Sequence, residues 1–439
     1  MFRRPLLAGI PLLTLLVLPP VLAQDQQPAR ERELLPLEEI IVTANRREQS
    51  LQEVPMSVSA FTGDFFKDAG VRDLAGLEQY TPSLKITSGT DSRSTSIRIR
   101  GIGSVGTNVG IDPSVGMFID GVYQGRAGMS VADLIDIERV EVLRGPQGTL
   151  YGKNTAAGAI SIITRKPSAD LESELELTYN SDERLELRGM VNVPLGNGPH
   201  ATRLTGFMIN GDHLYENEAD GRSLNDADKW GFKSRSLFDD SERLGELLVT
   251  VDYSKEDTDC CAVGVIDYNG FSTLNAPGTN RDTQALADQL GNNAQGEPII
   301  VYESFEDSSG FSPPSADPFD SNEWVDADIF NKIAVGGIAL EWNRDVLDDH
   351  VVTFINAWRH YEAESAYDGD FSAYNAVIGY QDIELDQYSS ELRLTSPGGE
   401  TWDYQAGLYY YHSDLDSIGT FEQSQELVQN MNIDVFFPE

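Results

Sequence analysis

Three sets of residues in this 439-residue chain are of types that do chemistry, and none stands at the spacing the chemistry requires. The glycine loop Arg144-Gly145-Pro146-Gln147-Gly148-Thr149-Leu150-Tyr151-Gly152-Lys153-Asn154 looks at first like a phosphate cradle. A P-loop puts four residues between its glycines and Ser or Thr after its Lys, because backbone amides wrap the phosphates and the hydroxyl meets the magnesium ion. Here only three residues separate Gly148 from Gly152 and Asn154 follows Lys153, so nucleotide binding of that kind is excluded. The histidines at 200, 213, 350, 360 and 412 form no H-E-x-x-H or related pattern, so no metal site is readable along the chain. Cys260 and Cys261 are neighbours and cannot staple distant segments; a strained vicinal disulfide stays open. No Ser-His-Asp set can be defended. The expectation is a protein with no catalytic residues and no cofactor, not an enzyme.

Function must then come from binding and from where the chain sits. Arg3 and Arg4 precede an apolar run over residues 6–18, and Val21-Leu22-Ala23 ends it, which is the layout of a cleaved secretory signal over residues 1–23. The run is shorter than the roughly 20 residues of a spanning helix, and prolines interrupt it. No cysteine follows to carry a lipid anchor. Later apolar runs are too short for a membrane helix, so membrane insertion requires a β-barrel, whose alternating strands leave average hydrophobicity ordinary. The net charge of -39, from 71 acids against 32 bases, excludes nucleic acid as a partner. The charge is unevenly placed: residues 38–170 carry net -2 and residues 171–439 net -38, so the chain has two parts of different chemistry.

In the first part, residues 24–37 read as an extended linker. Glu38, Glu39, Ile40, Ile41, Val42, Thr43 and Ala44 then form one strand with no obvious hairpin partner: either an ordinary edge strand or a segment kept free for pairing by another protein. From 54 to 164 short strands are expected at 54–61, 84–87, 96–100, 115–119, 137–143 and 159–164. Asp120-Gly121 reads as a hairpin turn. Thr62, Asp73 and Ser130 read as N-caps of short helices ending near Gly70, Tyr80 and Ile135. The unit is about 130 residues, an ordinary domain length.

Four blocks of this unit carry a resemblance: Ile99-Arg100-Gly101-Ile102-Gly103, Phe118-Ile119-Asp120-Gly121-Val122, Ile137-Glu138-Arg139-Val140-Glu141-Val142-Leu143-Arg144-Gly145-Pro146, and Tyr151-Gly152. In that order they resemble the plug of TonB-dependent outer-membrane receptors. The resemblance implies that residues 38–44 are the TonB box, the strand grasped by TonB with its inner-membrane energising complex, and that residues 45–168 are the plug. It also implies that Arg100 and Arg144 latch the plug to barrel glutamates, although Arg144 can instead meet a local carboxylate such as Glu141. The cargo it implies is an extracellular nutrient, most often a ferric siderophore, with haem, vitamin or oligosaccharide complexes as variants. Polar, glycine-rich loops at 89–95 and 103–112 offer Ser92, Arg93, Ser104, Thr107, Asn108 and Asp112 as ligand-binding candidates.

After Pro167 the residues alternate. Leu175, Leu177 and Tyr179 can face lipid while Glu174, Glu176 and Thr178 face a wet interior, and the same dyad recurs at Leu185, Leu187, Val191 and Val193, at Leu247, Val249, Val251 and Tyr253, and at Trp402, Tyr404, Ala406, Leu408 and Tyr410. A soluble sandwich alternates too. Connection lengths separate the readings, because barrels have short turns on one side and long loops on the other. Strands at 173–180, 184–193, 201–211, 229–237, 243–256, 331–343, 350–367, 383–395 and 401–414 leave short connections at every second position, which orients those turns to the periplasm. Tyr409, Tyr410 and Tyr411 are expected in an outer aromatic girdle.

The fold class expected is therefore an α+β plug followed by antiparallel transmembrane β-barrel strands, about nine of the roughly 22 that a plugged barrel needs. Residues 169–439 form the partial barrel, in contact with outer-membrane lipid. A surface-binding or adhesion barrel without transport is the rival reading. Nine strands leave two unpaired edges. Cells expressing only residues 1–439 are accordingly expected to show no sustained nutrient uptake in a radiolabel assay; steady accumulation would refute this.

Overall fold

The computed structural model describes residues 40–87, 95–104, 108–130, 135–180, 184–196, 198–211, 215–217, 221–224, 226–241, 243–259, 322–323, 328–347, 349–368, 377–399 and 402–423. The expected signal peptide and linker, most of the long loop with Cys260 and Cys261, and the loop positions Ser92, Arg93 and Thr107 lie outside them. No helix among the described residues is long and apolar enough to cross a membrane.

The first part opens on β1 (Ile41–Val42), which pairs antiparallel with β2 (Gln49–Ser50). Strand β3 (Ser57–Thr62) runs into helix α1 (Gly63–Ala69), with the Thr62 hydroxyl accepting from the Phe65 amide at 3.3 Å and Gly70 closing the helix at φ 68°. The helix expected after Asp73 is a 3-10 helix, Ala75–Tyr80. Asp73 still serves its start by accepting from the Gly76 amide at 2.8 Å. Its span is too short, and Pro82 follows too soon, for a longer α-helix. Strands β4 (Leu84–Thr87), β5 (Ser96–Ile99) and β6 (Ile102–Gly103) make a three-stranded antiparallel sheet.

Strands β7 (Val115–Ile119) and β8 (Val122–Gln124) meet at Asp120 and Gly121, both at positive φ, so the expected tight hairpin is present. Ser130 ends a 3-10 turn, Ala127–Ser130, whose Met129 is buried against the second part of the chain; the helix expected from Ser130 to Ile135 falls on residues 131–134, outside the described residues. Strand β9 (Ile137–Arg144), helix α2 (Gly148–Tyr151) and strand β10 (Gly158–Thr164) complete the unit. The main sheet has the order β3-β9-β10-β7-β8, with β10 and β7 parallel. Its core is Phe66, Leu74, Leu77, Ile99, Val140, Val142 and Ile160 with their neighbours, all buried; each such side chain contributes about 2 kcal/mol of apolar burial.

The second part is one antiparallel sheet of nine strands: β11 (Glu172–Tyr179), β12 (Leu185–Pro194), β13 (Ala201–Gly211), β16 (Ala227–Asp240), β17 (Gly245–Thr258), β19 (Phe330–Val346), β20 (His350–Asp368), β21 (Val377–Thr395) and β22 (Gln405–Gln423). Between them β14 (Tyr215–Asn217), β15 (Ser223–Leu224) and β18 (Asn322–Glu323) pair as a small separate sheet. All nine expected strands are present; the connections after β12, β16 and β19 take six, four and three residues and those after β13 and β17 are long, whereas those after β20 and β21 are nearly equal, at eight and nine, and the first, after β11, takes five. The last two strands run further than the alternation foretold. At about 3.3 Å per residue a 19-residue strand is roughly 60 Å long, about twice the hydrocarbon thickness. Beyond the apolar stripe the outward residues turn acidic, at Asp382, Glu384 and Asp386 on β21 and Asp414 and Asp416 on β22, so no apolar outward face signals these stretches.

The alternation sorts as expected. Leu175 and Leu177 are exposed on the side away from the first part, while along β20 Ile355, Ala357, Arg359, Tyr361 and Ala363 are buried on the side that faces it. The tyrosine girdle is a correction: Tyr410 shares the outward parity, but Tyr411 turns inward and packs edge-on against Tyr123 at 5.6 Å, because neighbouring residues of a strand face opposite sides.

Several inward polar groups of the sheet meet partners on the unit it carries. Arg203 on β13 grips Asp136 with both arms, at 2.6 and 2.7 Å, and also reaches Glu172 at 3.1 Å, with its side chain 4% exposed. Arg235 and Lys233 on β16 face Asp120 at 3.7 and 3.6 Å, and Arg235 donates to the Thr164 carbonyl at 2.6 Å. Removing one member of a buried, bidentate pair leaves the other charge unpaired, which costs about 3 kcal/mol or more. Arg203→Met is expected to lower the denaturant midpoint of the chain in detergent micelles accordingly; a midpoint unchanged within error would show that the pair holds nothing.

Candidate functional site at the amino-terminal strand and the plug face

Ile40, Ile41, Val42, Thr43 and Ala44 are described; Glu38 and Glu39 are not. The expectation of a strand kept free needs correction. Strand β1 has a local partner: Ile41 stands opposite Ser50 and Val42 opposite Gln49, and the Leu51 amide donates to the Ile40 carbonyl at 2.9 Å. The partner was illegible because Gln49 and Ser50 are polar and lack strand character. Val42 and Ala44 have no exposed surface and pack with Phe118, Tyr123, Leu143 and Tyr151, while Ile41 stays 41% exposed.

Thr43 is tied down most. Its amide and hydroxyl donate to Glu141 Oε1 at 2.7 and 3.1 Å, and Arg139 holds the same oxygen at 2.9 Å. Beyond the turn, the Arg46 guanidinium lies over the Tyr151 ring at 4.2 Å. Burial pushes the Tyr151 phenol up to about 12 despite Arg46, so it stays a neutral donor, 3.5 Å from the Thr43 carbonyl. Arg47 reaches Ser396 and Asp403, and Gln405 donates to the Asn45 carbonyl at 2.9 Å. The amino-terminal strand thus stands at the sheet end that carries the short turns.

Arg100 and Arg144 do not form the expected latch among the described residues. Arg100 is exposed in a left-handed turn at φ 53°. Arg144 turns its fork to Ser57 and Ser59 of β3, at 3.3 and 2.6 Å, and burial, then the nearby Arg100 charge, lowers its pKa. Register explains this, since Ser57 stands opposite Arg144 in the ladder and supplies acceptors before any sheet carboxylate can. Nor does Arg144 meet Glu141, which is occupied by Arg139 and Thr43. Ion pairs between the two parts come from other residues: Lys67 with Glu174, Arg72 with Glu176 and Lys166 with Glu246, besides the reversed pairs of Asp136 and Asp120 with sheet cations.

Of the ligand candidates, Ser104, Asn108 and Asp112 are described. The Ser104 hydroxyl donates to the Asp112 carbonyl at 2.8 Å, Asn108 accepts from the Gly110 amide at 2.9 Å, and the Asp112 carboxylate faces Lys153 at 3.6 Å. They are brought to one loop, whose Val109 packs with Met129 against Tyr361, Leu385 and Leu415 on the upper sheet. Lys153, dismissed with the glycine loop as a phosphate ligand, lies over the Tyr411 ring at 4.7 Å. Gln387, on which no sequence signal fell, is fully buried and binds the β8 edge, donating to the Tyr123 carbonyl and accepting from the Gly125 amide at 3.0 Å. A Cβ on Gly125 would stand 2.7 Å from that Gln387 oxygen, so the close approach requires glycine.

His360, Glu384 and Asp386 place donor atoms within 4.8 Å of one another on the outward side of β20 and β21. Their spacing along the chain could not announce this, since cross-strand register sets His360 opposite Asp386. His360 Nδ1 lies 3.2 Å from Asp386, whose oxygen also accepts from the Trp358 indole at 2.9 Å.

With this geometry in view, the comparisons are specific. Residues 50–159 match the TonB-dependent Receptor Plug Domain. That segment belongs to the plug-domain family of TonB-dependent receptors. It is 29% identical over 160 residues to the pesticin receptor of Yersinia pestis, covering 36% of this chain and 23% of that protein. It is 28% identical over 207 residues to the vitamin B12 transporter BtuB of Vibrio vulnificus, covering 45% and 31%. Among solved structures, the ferric yersiniabactin uptake receptor FyuA of Yersinia pestis matches with TM-score 0.63 at 21% identity, over 84% of this chain and 50% of that one. The ferripyoverdine receptor of Pseudomonas aeruginosa matches with TM-score 0.59 at 16% identity, over 87% and 45%. The chain spans under a third of these curated relatives and about half of these solved receptors; at such identities the structures establish fold alone.

The plug–barrel contact has an acid limit. Burial alone would raise the Asp120 carboxyl, but Arg235, Lys233 and two hydrogen bonds from Thr164 bring it below the ordinary aspartate value of 3.8. A lowered folded pKa gives stability that is complete above the unfolded value and lost as pH falls through the folded one. Denaturant midpoints are expected to fall as pH drops below 3.8, and Asp120→Asn to be less stable at neutral pH with a shallower acid limb. An identical pH profile for wild type and variant would overturn the assignment.

Proposed function

We propose that this receptor serves energy-coupled uptake across the outer membrane: an extracellular ligand binds where the outer loops meet the plug face, TonB pairs with Glu38, Glu39, Ile40, Ile41, Val42, Thr43 and Ala44, and the pull shifts the plug. One observation carries the reading. The plug rests on the polar face of a lipid-compatible sheet, and its first strand stands at the end with the short turns, beside Ser396, Asp403 and Gln405. A strand held by a two-residue ladder suits partner pairing, because main-chain hydrogen bonds supply the grip once it is lent out.

The preferred cargo is a ferric siderophore or another iron complex, supported by similarity to receptors described as taking up ferric yersiniabactin and ferripyoverdine. Ser104, Asn108 and Asp112, with Ser92, Arg93 and Thr107, are the plug residues proposed to meet it; Lys153 and Tyr411 join them on geometry. Vitamin uptake is the second reading, favoured by similarity to BtuB; an oligosaccharide cargo stays within the same mechanism. A surface-binding barrel needs no lendable strand, which sets it apart.

Replacing Ile41 by Pro removes a main-chain donor and fixes φ. In the complete gene, Ile41→Pro is expected to cut iron-complex uptake by at least about tenfold, the effect of roughly 1.4 kcal/mol of lost pairing, with surface ligand binding retained and Ile41→Val close to wild type. Uptake that survives Ile41→Pro would favour the surface-binding rival.

A further inference from the structure

Glu141 stands in the interior of the main plug sheet, on β9, with no exposed surface. A carboxylate there must be paired and hydrogen-bonded to be tolerated. One of its oxygens takes three donors: the Thr43 amide, the Thr43 hydroxyl and Arg139 Nε. Two of the three come from the amino-terminal strand, 98 residues away in sequence. Arg139 closes the triangle by donating to the Thr43 hydroxyl at 3.2 Å and is itself braced by Glu138. Against this, β1 shares a ladder of two residues with β2, and both strands of that sheet lie outside the five-stranded one. Few backbone bonds and one strong side-chain contact define a segment that opens locally at low cost while the rest stays folded.

We infer that Glu141 is the positioning residue that clasps the amino-terminal strand to the plug through Thr43, and so sets how often that strand is available to an outside partner. The inference rests on reading residues 38–44 as the partner's strand. Charge-assisted bonds are the stronger ones, so the ionised carboxylate holds both Thr43 donors more tightly than an amide of the same shape. Release exchanges two donors for water while Arg139 keeps the buried carboxylate neutralised, so the strand can leave without stranding an unpaired charge. Val42 and Ala44 leave their apolar contacts in the same step, which keeps the resting state closed.

The test uses the full chain folded in detergent micelles, in wild type, Glu141→Gln and Thr43→Val forms. Hydrogen exchange is followed in peptides covering residues 40–44 and, separately, 137–144 and 158–164. Glu141→Gln is expected to speed exchange at 40–44 by roughly tenfold or more, the scale of one charge-assisted hydrogen bond, and Thr43→Val to do so less, while both core peptides keep the wild-type rate. Unchanged exchange at 40–44 in both variants, or core peptides accelerating in parallel, overturns the clasp. The isolated periplasmic domain of TonB serves as a second probe, expected to bind Glu141→Gln more tightly than wild type. Faster exchange with no binding to any form leaves the clasp standing and removes the reading of the strand. Wild-type binding with unchanged exchange does the reverse.

Discussion

A β-wall exposed to lipid on one side must put its polar residues on the other, and that other face must then be satisfied. Everything distinctive about this chain follows from that constraint. Arg203, Lys233, Arg235 and Gln387 all point inward from the sheet, where a dry interior would leave them uncompensated. The plug supplies Asp136, Asp120, the Thr164 carbonyl and the free edge of β8. It is thus the complement to a polar lining, and in return the lining caps the sheet edge that the plug would otherwise expose.

The polarity of these contacts bears on how the plug can move. Pairs such as Lys67 with Glu174 are half exposed on both partners and contribute little, because water competes for both charges. Arg203 with Asp136 is buried and bidentate, so it resists separation far more than a rim pair. The firmest grips, including Gln387, therefore sit on plug elements other than β1. The strand proposed to be pulled is fastened to the plug by Glu141, and among the described residues Asn45 and Arg47 just beyond it reach the barrel at Gln405, Ser396 and Asp403. A pull on that strand would load the plug sheet through β9 before it loaded the barrel contacts.

Much of this was legible in the residues. The nine barrel strands, their inward and outward faces, the Asp120-Gly121 hairpin and the Thr62 and Gly70 caps all rest on local period or local turn chemistry, which a single chain displays. What stayed hidden depends on pairs distant in sequence. Nothing about Gln49 and Ser50 says that they will meet Ile41 and Val42, nothing about His360 names Asp386, and the roles of Arg203 and Gln387 exist only once the plug is seated. The family motif pointed to Arg100 and Arg144 as latches, whereas the geometry gives Arg144 to two serines of the next strand. Motif position fixes where a side chain starts; its partner is decided by what lies nearest in the fold.

The acid excess also finds its place in this arrangement. Below Trp358 and Tyr388 the outward positions of β20 and β21 are first the polar pair Asn356 and Ser390, then Phe354, Leu392, Val352 and Leu394; above them they become His360, Glu362, Glu364, Asp382, Glu384 and Asp386. Register sets Glu362 opposite Glu384, and Glu384 in turn opposite Asp416, so like charges face one another across adjacent strands. Such pairs destabilise a sheet, and inside hydrocarbon they would be prohibitive. In salt water the same repulsion is screened over about 8 to 10 Å and becomes tolerable. The outward residues of this wall thus turn from apolar to acidic around the two aromatic rings, and the acidic stretch suits water rather than lipid. Above the rings, then, only the outward face is acidic, while the inward face, with Tyr361, Ala363, Ile383 and Leu385, still packs on Met129 and Val109.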